Sequence, residues 1–290
     1  MSLRRHGFRI HAGPWAHPFT RPLVIARYNL SGVFSSRLFT IFYVACFLPS
    51  CLCMVSIYLR YRLDTFVGIS GGQWAEIGAA GILDDWLYYG ILQPSEWVAF
   101  SIVLVVGPSL LAPDLKDNAM PLYLSRPVTK LQYLLGKVLV LLTLTAAVTW
   151  IPGLLLVLAN AYYAEDGWLL NNLSVPIGLV GSCLVWTGCL SIIALALSAW
   201  VRWRPAATLG FLGLFVIGAG IGNLLRATSG DWHGSVIILW DAIDVVGRDL
   251  FGANASEAMP LPWAWATLAA ATALAFWALL HRIRAYEAVR

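Results

Sequence analysis

Charge is scarce in this sequence. Asp, Glu, Lys and Arg make up 12% of the 290 residues, against about 25% in an ordinary soluble domain, which leaves too little polar surface to wrap a water-soluble core. The formal net charge of +4 is small and dispersed, and points to no nucleic-acid partner. Cysteine is also sparse. Cys46, Cys51, Cys53, Cys183 and Cys189 all fall inside apolar runs, where a thiol behaves as a small hydrophobe and builds no extracellular disulfide framework. A G-x-x-x-x-G-K-[ST] loop is missing: Gly136-Lys137 is followed by Val138, so the chain has no cradle for nucleotide phosphates. His6, His11, His17, His233 and His281 are scattered, and neither an H-E-x-x-H pair nor a nucleophile elbow occurs, so no enzyme of the common metal or acyl-transfer classes is indicated. The first residues carry Arg4, Arg5 and Arg9 but then Gly, Pro, His and Trp instead of an apolar core. The first span is therefore expected to serve as the insertion signal.

Apolar residues are what the chain has. They make up 59% of it, with a mean hydropathy of +0.74, which indicates an all-α polytopic membrane protein. Six apolar runs reach spanning length, at about 38–59, 96–113, 131–159, 176–200, 206–226 and 262–281. The third is the longest, and Pro152-Gly153 is expected to break or kink it near its far end. Before the first run, residues 21–37 place Leu23, Ala26, Leu30, Val33 and Phe34 on one arc, with Asn29, Ser31, Ser35 and Ser36 away from it. Arg21, Arg27 and Arg37 there are able to snorkel. This pattern predicts an interfacial helix, with a polar extension of the first span as the alternative.

Charge orients the spans. With the N-terminus inside, 15 of the 19 Lys and Arg fall on inner segments and only Arg60, Arg62, Arg226 and Arg248 outside. The positive-inside rule therefore predicts that both termini are cytoplasmic. Acidic residues go the other way, leaving Asp114, Asp117 and Glu287 inside. No carboxylate falls at the centre of an assigned span, which argues against an ion-coupled transporter. Residues 64–95 and 235–251 mix apolar and acidic residues and predict amphipathic helices at the outer leaflet. Eight tryptophans near the same boundary, Trp97 and Trp240 among them, read as an aromatic belt. Three regions result: an N-terminal stretch and interfacial helix at 1–37, a six-span domain at 38–281, and a tail at 282–290.

Two tempting motifs are set aside. Ile69-Ser70-Gly71-Gly72-Gln73 looks like the signature of an ABC ATPase, but that motif works only beside a phosphate loop, and the charge count puts it outside. Cys46, Cys51 and Cys53 are soft enough to hold Cu(I), yet on a helix 51 points away from the face that 46 and 53 share. A copper-linked permease therefore stays only as a weak alternative.

The chain is organised around the charged island from Pro113 to Lys137. Lys116, Arg126, Lys130 and Lys137 have no place in lipid, while Met120, Leu122, Tyr123 and Leu124 are too apolar for a simple turn. Asp117 and Asn118 can cap a short helix that tolerates Pro121 in its first turn, and Pro127 ends it. A stub of about two turns across a membrane face is expected, with something packed on it.

Leu122-Tyr123-Leu124-Ser125-Arg126-Pro127, followed by Tyr133-Leu134-Leu135-Gly136-Lys137, resembles the L-x-L-S-R-P…Y-x-x-G-K pattern that permease subunits of type-2 ABC exporters carry between spans two and three. Asn118-Ala119-Met120 depart from it, standing where the family's run is more charged. The resemblance implies a membrane-spanning subunit of an ABC transporter that works in the exporting direction, in the inner membrane. Leu122, Tyr123, Leu124, Ser125, Arg126, Pro127 and Lys130 would couple it to a separate ATPase, present in two copies and holding the ATP and Mg. It further implies a second permease copy or a paralogue, and no cofactor in the chain itself. A non-transporting anchor that relays ATPase motion to an outer partner through 64–95 and 235–251 is the other alternative.

Overall fold

The structure, a computed structural model, describes residues 20–67, 91–116, 129–164, 167–201, 203–252 and 258–285. The middle of the expected stub, with Leu122, Tyr123, Leu124, Ser125, Arg126 and Pro127, lies outside the described residues, as does most of the expected outer helix at 64–95.

Every regular element among the described residues is helical. In chain order these are α1 (Arg21–Val33), α2 (Arg37–Ala45), α3 (Leu48–Val67), α4 (Gln93–Lys116), α5 (Lys130–Val148), α6 (Trp150–Tyr163) and α7 (Trp168–Asn171). They continue with α8 (Ser174–Trp200), α9 (Arg204–Ser229), a 3-10 turn (Trp232–Val236), α10 (Leu239–Phe251) and α11 (Leu261–Ala285). Six stretches are long and apolar enough to cross a membrane: Arg37–Tyr58, Gln93–Asp114, Lys130–Tyr163, Ser174–Trp200, Arg204–Ser229 and Leu261–Arg282. This is the layout of a multi-pass membrane protein.

Two of the six are broken, and proline places both breaks. Pro49 has no N–H to donate four residues back to Ala45, and α2 ends at Ala45. Pro152 likewise leaves the carbonyl of Val148 without its donor, and α5 ends at Val148. The third span is thus interrupted at Thr149, one turn ahead of the Pro152-Gly153 pair where the sequence suggested a kink. At the break Thr149 donates its hydroxyl to the Thr145 carbonyl at 2.8 Å. The breaks are neighbours: Tyr43, near the end of α2, donates its hydroxyl to the Leu144 carbonyl in α5 at 2.8 Å.

α8 is the hub, packing on α4, α5, α6, α9, α10 and α11. Between lipid-embedded helices apolar burial offers no net drive, so association rests on close packing, for which small residues are suited. The buried face of α8 is built from them: Gly178, Ser182, Ser191, Ala194, Ala196, Ser198 and Ala199. A Cβ on Gly178 would run into the main-chain carbonyl of Leu250, so only glycine lets α10 sit this close. The apolar face of α10, with Ala242, Ile243, Val246 and Phe251 buried, is spent on the bundle instead of lying in the lipid interface. Trp240 is likewise a packing residue: its ring lies 4.5 Å from Trp97, 5.0 Å from Trp186 and 5.2 Å from Phe100.

The interior falls into two clusters. The larger joins α2, α4, α5, the later part of α8, α9, α10 and α11. The smaller gathers Cys53 and Ile57 of α3, Ile91 and Leu92, Leu156 and Val157 of α6, and Val175 and Leu179 at the start of α8. The boundary coincides with the two proline breaks, since α2 and α5 belong to one cluster and α3 and α6 to the other. A water-sized cavity at this boundary is lined by Pro49, Ser95, Val148 and Leu156.

Candidate functional site

The site begins with a helix cap. Thr129 accepts the Gln132 N–H on its hydroxyl at 3.2 Å, and its own N–H donates to the Gln132 side-chain carbonyl at 3.1 Å. This capping box sets the first residue of α5 and thereby puts Tyr133, Gly136 and Lys137 on the buried face of the helix.

Lys137 is 1% exposed. A buried ammonium must satisfy three donors, and this one reaches three acceptors on two other helices. Its Nζ donates to the Leu110 carbonyl at 2.8 Å and to Asn29 Oδ1 at 2.9 Å, and lies 2.8 Å from Asp114 Oδ2. The Tyr133 hydroxyl donates to the same carboxylate oxygen at 2.5 Å. One lysine therefore ties α5 to the end of α4 and to the middle of α1. Removing Asp114 costs about 3–5 kcal/mol, because the Lys137 charge is left buried.

Gly136 makes the approach possible. A Cβ there would meet Ile25 Cγ2 at 2.8 Å and the Pro22 carbonyl at 3.1 Å, so α1 rests directly on the α5 backbone. The buried face of α1 keeps Ala26, Leu30 and Val33 of the apolar arc and departs from it at Leu23 and Asn29. Pro22 and Ala26 are buried and Leu30 and Val33 pack on the core, whereas Leu23 is 58% exposed and Asn29 points inward to Lys137. Among the arginines of this region, Arg27 and Arg37 are exposed and Arg21 is half-buried.

Asp114 lies two residues before the end of α4 and Tyr133 three residues after the start of α5. The cluster therefore fastens the ends of α4 and α5 that flank residues 117–128 to each other and to α1. Lys130, half-buried, opens α5 beside it. Of the sequence motifs, Tyr133, Gly136 and Lys137 are brought together here. Asn29 and Asp114 join them without having been singled out as site residues, since partners 108 and 19 positions away on other helices leave no local trace in the sequence.

The cysteines do not converge. Cys46 and Cys53 are buried in different clusters and Cys51 is exposed. No group of three or more His, Cys, Asp or Glu placed to hold a metal ion occurs among the described residues. In comparison with known proteins, no family model matches the sequence and no curated relative matches it.

Proposed function

We propose that the chain is the membrane-spanning subunit of an ATP-driven transport complex of the type-2 ABC exporter kind, seated in the inner membrane with both termini in the cytoplasm. The segment at 117–128 is its contact with a separate ATPase, present in two copies and carrying ATP and Mg. A second permease, identical or paralogous, completes the complex. The observation that supports this reading is the Asn29–Lys137–Asp114–Tyr133 cluster. A loop that merely turned the chain would need no buried ion pair at its base, whereas a loop that receives force needs feet that move as one piece with α1.

In this reading, closure of the ATPase pair displaces the loop. The lysine cluster passes the displacement to α1, α4 and α5 together, and the bundle changes which side it opens to. Leu122, Tyr123 and Leu124 fill a groove on the ATPase and Arg126 pairs with an acceptor there, since aromatic and arginine anchors commonly dominate such contacts, at about 2 kcal/mol or more each.

Affinity purification of the tagged chain from its own membranes tests this. An ATPase with a phosphate loop should co-purify, and Tyr123→Ala and Arg126→Ala should each lower its recovery and its transport-linked hydrolysis at matched membrane abundance. Absence of any nucleotide-hydrolysing partner, or unchanged recovery and hydrolysis in both variants, would overturn the reading.

A further inference from the structure

Glu96 stands in the first turn of α4, where a carboxylate ordinarily complements the positive end of a helix from the surface. Here it is buried. The residue is 6% exposed and its Oε1 has no hydrogen-bond partner. It borders a cavity of about 10 Å³, room for one water, shared with Ser182 and Trp186 of α8, Ile243 and Gly247 of α10, and Leu268 of α11.

The neighbouring donors are engaged elsewhere. Trp186 Nε1 donates at 3.1 Å to the main-chain carbonyl of Glu96, not to its carboxyl. The Ser182 hydroxyl donates to the Gly247 carbonyl at 3.4 Å. The charged groups facing Glu96 both come from α10: Asp244 and Arg248, whose own side chains pair at 2.9 Å and offset one another. From α8 the titratable neighbour is the Cys183 thiol, and α11 contributes only apolar Leu268 to the cavity wall. One negative charge is thus left over beside a space the size of one water.

We propose that this cavity binds a single compact positive charge, carried as a proton or as a sodium ion on Glu96. Its size excludes organic ammonium groups. A single carboxylate suits a monovalent ion and would leave a divalent ion undercompensated. Occupancy neutralises Glu96 and lets α10 seat against α4 and α8. The site lies at the border of the two interior clusters, between Leu92 just ahead of α4 and Ala99 on it, and stands independently of the ATPase reading.

The test is thermal unfolding of the full chain in detergent, native against Glu96→Gln, over a pH series with N-methylglucamine or sodium as the cation. A group held neutral when folded and free to ionise when unfolded contributes most at low pH, and that contribution is lost as pH rises. In N-methylglucamine the native midpoint should therefore fall as pH rises, while Glu96→Gln shows a flatter profile. Sodium restoring the native midpoint at high pH, and not acting on Glu96→Gln, assigns sodium; no sodium effect assigns the proton. Identical pH and sodium profiles for the two chains overturn the proposal. If Glu96→Gln fails to insert, infrared spectra of the native chain decide. A protonated-acid carbonyl band at neutral pH, or a sodium-induced carboxylate shift, supports the site, and the absence of both overturns it.

Discussion

Lys137 spends its three N–H groups on three acceptors from two other helices, and this makes its replacement informative. Asp114→Asn should destabilise the chain by about 3–5 kcal/mol because Lys137, 1% exposed, is left buried without its counter-charge. Lys137→Met in the same chain should recover much of that loss, since the stranded charge is then gone. Denaturant unfolding of the two single variants and the double variant measures the coupling, and a double variant as unstable as the sum of the singles would deny the pair its role. At Gly136 the steric argument is more direct. Gly136→Ala pushes a methyl group into Ile25 and the Pro22 carbonyl, so α1 should lift from α5 at a cost of about 1–3 kcal/mol. Faster tryptic cleavage at Arg27 than in the native chain would report the lifting, and an unchanged cleavage rate would contradict it. Tyr133, Gly136 and Lys137 were visible in the sequence as a motif, yet their partners were not. Asn29 was assigned to the wrong side of α1 because a 13-residue helix with apolar residues around much of its circumference carries too weak a periodicity to show which face is turned inward.

At the scale of elements, the six spans were legible because a run of some twenty apolar residues is a signal that needs no tertiary context. The breaks were legible only in part. Proline reveals that a helix is disturbed, but the lost hydrogen bond belongs to the carbonyl four residues earlier, so the interruption falls at Thr149 and not at Pro152. Pro152→Ala should restore the donor for Val148 and slow amide exchange around Thr149, with α5 and α6 fusing; unchanged exchange there would mean that packing, and not proline, imposes the break. Helix α10 was legible as amphipathic, though its apolar face could equally have met lipid. Its link to α9 is the Arg226–Asp241 pair at 3.2 Å. Burial pushes the Asp241 carboxyl above its ordinary value of 3.8, with Arg226 opposing the shift and Asp244 adding to it. A carboxyl raised in this way favours the folded state most below its ordinary value, and that contribution is lost as pH rises through the folded value. Asp241→Asn should therefore flatten the acid side of a stability-versus-pH curve measured by thermal unfolding, and an unaltered slope would show that Asp241 is not the titrating group.

For the whole molecule, the apolar windows of α4 and α8 are each 67% buried, whereas those of the first, fifth and sixth spans are each 17% buried, so the latter carry most of the surface left for lipid or for a second chain. Single cysteines placed at Ser70 and Ser125 on a cysteine-free background test the topology: an impermeant reagent applied to intact cells should reach the first and not the second, and the reverse pattern would invert the assignment. The division of the interior by the two proline breaks bears on how the molecule comes apart. With α3 and α6 sharing one cluster and α2 and α5 the other, local opening need not be distributed along whole spans; it can proceed by halves, each half a cooperative unit with its own opening free energy. Amides of α3 and α6 should then exchange as one group and those of α2 and α5 as another, so that a single polypeptide segment crossing the bilayer once would show two protection levels, changing at Cys46 in the first span and at Thr149 in the third.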